Sequence, residues 1–261
     1  MEASQVGPPI PARPVEVSQG WRRVAPWAGY IAAFSALAGA LLFLLDALDV
    51  LADSPEFRST AAGFESDLAT YYVAYFERQH DILWSIVLRD VLLPVAFLAL
   101  MVLSLAVASL MGWHRPMAQM CVLFFVVGGV LQIVSDVLYL AETSYWRSEG
   151  WEADPPGPMV AAGRASDAID LSTNYIEAAG YVVLAAALVC LGLLCRSGQD
   201  LPRWLGLVAF AEAVGMLMLV VGRAVESDLL FQVGALAGGI VLGPLLFAAL
   251  GRQIDRAVSA L

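Results

Sequence analysis

Acidic side chains inside long apolar segments are the residues of this sequence that could do chemistry. Seven of them lie within or at the ends of segments long enough to cross a membrane: Asp46, Asp90, Asp136, Asp170, Glu177, Glu212 and Glu226. A charged carboxylate at the bilayer centre costs about 2.5 to 3.5 kcal/mol on insertion scales, so such residues usually face a bundle interior, a water-filled cavity or a partner. Carboxylates in that setting can bind a cation, carry a proton or hold a polar solute.

Other polar residues are spaced so that they share helix faces with these acids. Gln132 and Asp136 are four residues apart and Asn174 and Glu177 are three apart, so each pair lies on one face of a helix. With a rise of about 1.5 Å per residue, most of these side chains lie at a similar depth in the same half of the membrane. The predicted ligand or ion pocket consists of Asp90, Asp136, Glu177, Glu212, Arg89, Arg223, Asn174 and Gln132.

Two interpretations of this polar group are open. In one, the acids form an outward-facing pocket for a small solute, a cation or a proton. The acids that would act there are Asp90, Asp136, Glu177 and Glu212. In the other, Arg89 and Arg223 pair with neighbouring acids, and these ion pairs lock helix packing. No basic residue is predicted at the depth of Glu212, so we expect Glu212 to be neutral or hydrogen-bonded to Gln132 or to a hydroxyl.

The elements that must position these residues are membrane-spanning helices. The chain has 261 residues, of which 60% are hydrophobic and 15% charged, with a mean hydropathy of +0.74. A helix needs about 20 apolar residues to cross a hydrocarbon core of roughly 30 Å. Six such segments are predicted at residues 26–49, 83–111, 117–140, 171–195, 204–224 and 229–250. We therefore predict an all-α bundle of six transmembrane helices, in which residues 226–228 form a tight turn between the last two.

Arginine sets the predicted orientation, because the chain contains no lysine. More arginines lie on the predicted side of both termini than on the other side. The first side has Arg13, Arg22, Arg23, Arg115, Arg196, Arg203, Arg252 and Arg256, and the second has Arg58, Arg78, Arg147 and Arg164. The positive-inside rule then places both termini in the cytoplasm. Most acids lie outside, so the formal charge of −10 belongs mainly to the external face. Such a face repels anionic polymers, and nucleic acid is not an expected partner.

The sequence also predicts the structure of three segments outside the spans. Residues 1–20 are Pro-rich and polar and are predicted to be a disordered cytoplasmic tail, while residues 21–261 form a single transmembrane domain. The external loop at about 50–82 carries aromatic residues near helical spacing, which predicts an amphipathic helix that either covers the bundle or forms a lid over a pocket. The external loop at about 141–170 contains DPPGP, which predicts an irregular loop, with Asp167 and Asp170 capping the fourth span.

The sequence lacks the residues that several kinds of membrane-protein chemistry require. His80 and His114 fall on opposite predicted sides of the membrane, so they cannot share a haem or a metal. Cys121, Cys190 and Cys195 lie toward the cytoplasmic ends of their spans and predict no disulfide framework. Without lysine there is no Schiff-base chromophore. No catalytic residue, metal or cofactor is predicted, and we do not expect an enzyme.

Three stretches carry a family resemblance. They are RRVAPWAGYIAAFSALAG, RQHDILWSIVLRDVLLPVAFLALMVLSL and CRSGQDLPRWLGLVAF. These stretches are similar to a bacterial group of six-pass membrane proteins described as a domain of unknown function. The pattern from Arg196 through Gly198, followed by Pro202, Arg203, Leu205 and Gly206, is the most specific part. The resemblance implies a six-helix fold in the bacterial plasma membrane, and it implies no established activity or catalytic residues.

Two classes of function follow from the sequence. The first is an integral membrane protein that binds or passes a small solute, cation or proton through the acidic pocket. The second is a non-catalytic accessory or scaffold subunit of a membrane protein complex, in which the acidic loops dock a partner. The expected partners are the lipid bilayer and either another membrane protein or a second copy of the chain.

Overall fold

The computed structural model describes residues 19–58, 63–146, 154–197 and 201–259. Within these ranges the chain is helical and contains no strand. The helices are α1 (Gln19–Ala47), α2 (Phe64–Asp81), α3 (Leu83–Met111), α4 (Pro116–Trp146), α5 (Pro156–Ser197), α6 (Arg203–Ala224), α7 (Asp228–Gly234), a π-helical stretch (Ala235–Leu242) and α8 (Gly243–Ser259). The last three run on without a break. The predicted tail at 1–20 lies outside the described residues, except that Gln19 and Gly20 begin α1.

Six helical segments are long and apolar enough to cross a membrane, as predicted. They are Val24–Ala47, Leu83–Met111, Pro116–Ser144, Pro156–Ser197, Arg203–Ala224 and Asp228–Ala257. Large apolar side chains cover their outer faces; Phe34 is 69% exposed and Leu207 is 62% exposed. In a bilayer these faces contact lipid, where only segments that satisfy their own backbone hydrogen bonds are tolerated. The chain is therefore an all-α, multi-pass membrane protein.

Small residues allow the helices to approach closely. Gly29 near the start of α1 faces Gly251 near the end of α8, and a Cβ on Gly29 would lie only 2.6 Å from the Gly251 Cα. This contact places the start of α1 beside the end of α8, at one end of the bundle. The half of the bundle nearest that end has a mainly apolar core, which includes the fully buried Leu188 and Leu250. Polar side chains are concentrated in the other half.

The region predicted as an irregular loop at 141–170 is mostly helical, so that prediction is wrong. Helix α4 continues to Trp146, and α5 begins at Pro156, fourteen residues before Asp170. Proline suits the first position of a helix, where its missing N–H would have no partner and its fixed φ matches the helix. The run DPPGP therefore marks a helix start. Asp167 and Asp170 lie inside α5 and cannot cap it.

The helix predicted between the first two spans is present as α2. It packs on the early part of α5, where Ala69, Tyr72 and Phe76 form a small apolar cluster with Met159 and Val160. The Tyr72 hydroxyl donates to an Asp167 oxygen at 2.6 Å, and the Tyr75 hydroxyl donates to Asp170 at 3.3 Å. These contacts lie at the end of the bundle opposite the start of α1. They attach α2 to the side of α5.

Candidate functional site

Charged side chains from five helices meet at the end of the bundle that carries α2. They surround a cavity of about 190 Å³. The cavity is lined by Phe43 and Asp46 of α1, Arg89, Asp90 and Leu93 of α3, Ser135, Asp136 and Tyr139 of α4, Thr173, Asn174 and Glu177 of α5, and Arg223 of α6. On α1, α3, α4 and α6 these residues lie in the half of the helix nearest this end, and on the longer α5 they lie near its middle. Alternating helix directions thus bring together residues that are far apart in sequence.

Six of the eight predicted pocket residues line this cavity: Asp90, Asp136, Glu177, Arg89, Arg223 and Asn174. The other two do not. The Gln132 side-chain amide donates to the backbone carbonyl of Glu177 at 2.8 Å, so Gln132 joins α4 to α5. Glu212 is completely buried elsewhere, and neither of its carboxyl oxygens has a hydrogen-bond partner among the described residues. Of the two alternatives predicted for Glu212, the hydrogen bond to Gln132 or to a hydroxyl is therefore wrong, and the neutral carboxyl group stays a prediction.

Arg89 occupies the floor of the cavity. Its Nε donates to Asp90 Oδ1 at 2.7 Å, and its Nη1 lies 3.7 Å from Asp46 Oδ2. The guanidinium carbon lies 5.0 Å from the centre of the Tyr139 ring and 5.9 Å from that of Phe43, within the range of cation–π attraction. Arg89 therefore contacts α1 and α4 as well as its own helix. One hydrogen bond, two carboxylates and two aromatic rings thus hold the guanidinium in place.

A second ion pair joins α5 to α6. Arg223 Nη1 donates to Glu177 Oε2, while the Tyr181 hydroxyl donates to Glu177 Oε1 at 2.9 Å. The Arg223 guanidinium also lies 5.2 Å from the centre of the Phe231 ring. Both oxygens of Glu177 are thus engaged by neighbouring side chains. The predicted pairing of Arg89 and Arg223 with intramembrane acids is present in the structure.

Arg78 is a residue of this region that the sequence interpretation missed. It lies on α2, outside the spans, and its Nη2 is 2.8 Å from Asp46 Oδ1. Nothing in the local sequence indicates that α2 returns to the end of α1. Ser135 and Tyr139 were also missed, although a signal exists, because they are four residues apart and flank the face that carries Gln132 and Asp136.

The cavity contains more acid than base. Four carboxyl groups and two guanidinium groups line it, and Arg78 reaches Asp46 from outside. Once the ion pairs of Arg89 and Arg223 are counted, Asp136 is left over. Its side chain makes no hydrogen bond or ion pair with any residue that the structure describes, and its Oδ2 is inaccessible to solvent. A cation in the cavity would supply the counter-charge that Asp136 lacks among the described residues.

Burial varies around the cavity wall. The Asp90 side chain is 2% exposed and forms part of the floor, whereas the Arg223 side chain is 31% exposed and lies at the mouth. Across residues 19–58, 63–146, 154–197 and 201–259, no three His, Cys, Asp or Glu side chains are close enough to hold a metal ion. The acids are thus spread around a volume and do not converge on a point. This geometry suits a ligand that is large enough to contact several of these acids at once.

Comparisons with protein-family models, with curated proteins and with solved structures found no match to this chain. The resemblance to a bacterial six-pass family stays a prediction.

Proposed function

We propose that this protein binds a small cationic solute in the acidic cavity, which faces the outside of a bacterial plasma membrane. The observation that carries the proposal is Asp136, an acid that lies in the wall of a 190 Å³ cavity and has no partner among the described residues. A cavity of that size has room for several water molecules. A small organic cation or a partly hydrated monovalent ion fits that space.

The pairing of the other charges supports the same conclusion. If the polar group served packing alone, each buried acid would be expected to have a partner, since an unpaired buried charge costs several kcal/mol. Glu177 and Arg223 meet that expectation, and Asp136 does not. Asp136 is thus the group most available to a bound cation. The ion pairs of Arg89 and Arg223 fit the scaffold alternative, which remains a prediction, but they do not account for Asp136.

The distribution of arginine supports the orientation. Among the described residues, Arg115, Arg196, Arg203, Arg252 and Arg256 lie at the end opposite the cavity. The positive-inside rule makes that end cytoplasmic, so the cavity faces outward. A ligand would then reach it from outside the cell.

Binding of tetramethylammonium, Na⁺ and K⁺ to the purified protein in nanodiscs, measured by isothermal titration calorimetry, tests the proposal. A unit charge at about 4 Å contributes about 4 kcal/mol at an effective dielectric constant near 20, and desolvation offsets part of this. We therefore expect Asp136→Asn to weaken cation binding at least tenfold. Asp53→Asn removes the same charge from an exposed position outside the cavity and is the matched control.

Two results would contradict the proposal. One is a wild-type protein that binds none of the three cations. The other is an Asp136→Asn variant that binds as tightly as the wild type. Flux of the bound cation into proteoliposomes then separates binding from passage, because a carrier moves it above the background of empty liposomes and a receptor does not.

A further inference from the structure

Helix α6 and the span formed by α7 and the π-helical stretch touch through their backbones. A Cβ built on Gly222 would lie 2.5 Å from the Phe231 backbone nitrogen, and one on Gly234 would lie 2.8 Å from that of Leu219. Further along, a Cβ on Gly215 would lie 3.3 Å from the Gly238 Cα. Glycine permits this contact because it has no side chain to separate the helices. The close contact leads along α6 to Glu212, which is three residues before Gly215.

The Glu212 carboxyl group lies against a wall made of glycine. A Cβ on Gly238 would be 3.6 Å from both carboxyl oxygens, and a Cβ on Gly243 would be 3.0 Å from Oε1. A side chain at position 243 would therefore press against this carboxyl group. The glutamate is 0% exposed, and neither oxygen has a hydrogen-bond partner in the described part of the chain. This unpartnered acid lies apart from the outer cavity.

The wall is also the place where the last span leaves α-helical geometry. Residues Ala235–Leu242 are π-helical, and the Gly243 N–H donates to the carbonyl of Gly238, five residues earlier. Short π-helical segments occur frequently at functional sites, and their wider turns leave backbone groups less tightly held than in an α-helix. Two independent features thus coincide: a buried acid without a partner and a widened helical turn against it.

Among the side chains that the structure describes, no charged partner reaches Glu212 from the helices around it. The elements packed against α6 and against the π-helical stretch are α1, α5, α7 and α8. With α6 itself, the titratable and charged groups whose side chains are described on them are Tyr30, Asp46, Arg164, Asp167, Asp170, Tyr175, Glu177, Tyr181, Cys190, Cys195, Arg196, Arg203, Arg223, Asp228, Arg252, Asp255 and Arg256. None of these makes a hydrogen bond or an ion pair with Glu212. Arg223, on the same face of α6, is eleven residues away, or about 16 Å along the helix.

We propose that Glu212 is an exchangeable proton-binding site within the membrane, distinct from the outer cavity. An ionised carboxylate in this wall would lack both a counter-charge and hydrogen bonds, so the wall accepts the neutral acid. No described residue accepts a hydrogen bond from the acid, and the π-helical turn of Ala235–Leu242 forms one side of the site. In this proposal, that turn is the side that moves. The proton enters and leaves when this turn opens.

Infrared spectroscopy of the membrane-reconstituted protein tests the proposal. A neutral carboxyl group gives a C=O stretching band apart from the amide bands, and this band shifts when the acid proton is replaced by deuterium. We expect the wild type to show such a band, to shift it within hours of transfer to D₂O, and to lose it in Glu212→Gln. Glu142→Gln is the control, because Glu142 is a second buried glutamate, which accepts a hydrogen bond from Ser166. This variant should keep the Glu212 band.

A second measurement needs no variant. Dicyclohexylcarbodiimide is an apolar reagent that adds to protonated carboxyl groups, and peptide mass spectrometry locates the adduct. We expect Glu212 to be modified in the wild-type protein. The proposal is overturned if the Glu212→Gln spectrum equals that of the wild type, if the band does not shift in D₂O, or if Glu212 stays unmodified. Because Glu212 does not line the cavity, Asp136→Asn should leave all these results unchanged.

Discussion

Replacing Arg89 by methionine should destabilise the protein by leaving a buried acid without its partner. The Arg89 and Asp90 side chains are 10% and 2% exposed, and the Nε to Oδ1 distance is 2.7 Å. At that distance, the attraction is about 6 kcal/mol for an effective dielectric constant near 20, and the desolvation of both groups offsets much of it. Removing one member of a buried pair typically costs about 3 to 5 kcal/mol. We expect Arg89→Met to fall within that range.

A double-mutant cycle separates this cause from loss of packing. Methionine retains an apolar stem beside Tyr139 and Phe43, so the main change in Arg89→Met is the loss of charge. The double variant Arg89→Met/Asp90→Asn removes both charges, and we expect it to be at least about 2 kcal/mol more stable than Arg89→Met alone. Steric trapping in bicelles measures the free energies of unfolding of the wild type and of all three variants. A double variant no more stable than Arg89→Met, or a loss below about 1 kcal/mol in Arg89→Met, would refute this reasoning.

Two further predictions concern helix contacts. Gly29→Ala should lower the free energy of unfolding by about 1 to 3 kcal/mol, because the new Cβ would lie 2.6 Å from the Gly251 backbone. Gly39→Ala should lower it less, because its new Cβ would closely approach only side-chain atoms of Leu93, which can move. Equal losses in the two variants, measured by steric trapping, would contradict this. Burial, the hydrogen bond to Asp167 and the charge of that residue raise the pKa of Tyr72 from 10.0 to about 12. Since the folded-state pKa is the higher one, docking of α2 is at full strength below pH 10 and weakens toward pH 12. The tyrosinate absorbance of the wild type minus that of Tyr72→Phe should rise near pH 12, and a rise near pH 10 would show that Tyr72 is not held by Asp167.

Hydropathy predicted the six spans because the thickness of the bilayer sets the length of a spanning helix, and few other backbone conformations are stable in hydrocarbon. A segment in hydrocarbon must satisfy its own backbone hydrogen bonds, so an apolar run of sufficient length becomes a helix whatever its neighbours are. Hydropathy did not predict that α5 starts at Pro156. Its first turns lie beside α2, where Tyr72 packs closely over Gly163, and this contact links segments more than ninety residues apart.

Helical spacing predicted which polar residues share a face, and six of the eight residues of the predicted pocket line the cavity. Spacing along one helix cannot show how neighbouring helices are rotated. That rotation directs Asp136 into the cavity and Gln132 onto the Glu177 carbonyl, although the two residues are four apart on α4. It also places Glu212 against the π-helical stretch, away from the other acids.

By itself, the sequence determined that this chain is a six-span helical membrane protein with an excess of acid in one half, because hydropathy and helical periodicity are local properties. Only the tertiary structure decided which acids are neutralised. Arg89 and Arg223 reach Asp90 and Glu177, while Asp136 and Glu212 have no partner among the described residues. The physical reason is that ion pairing and burial depend on distances of a few ångströms between helices, and those distances are set by how side chains pack across the bundle.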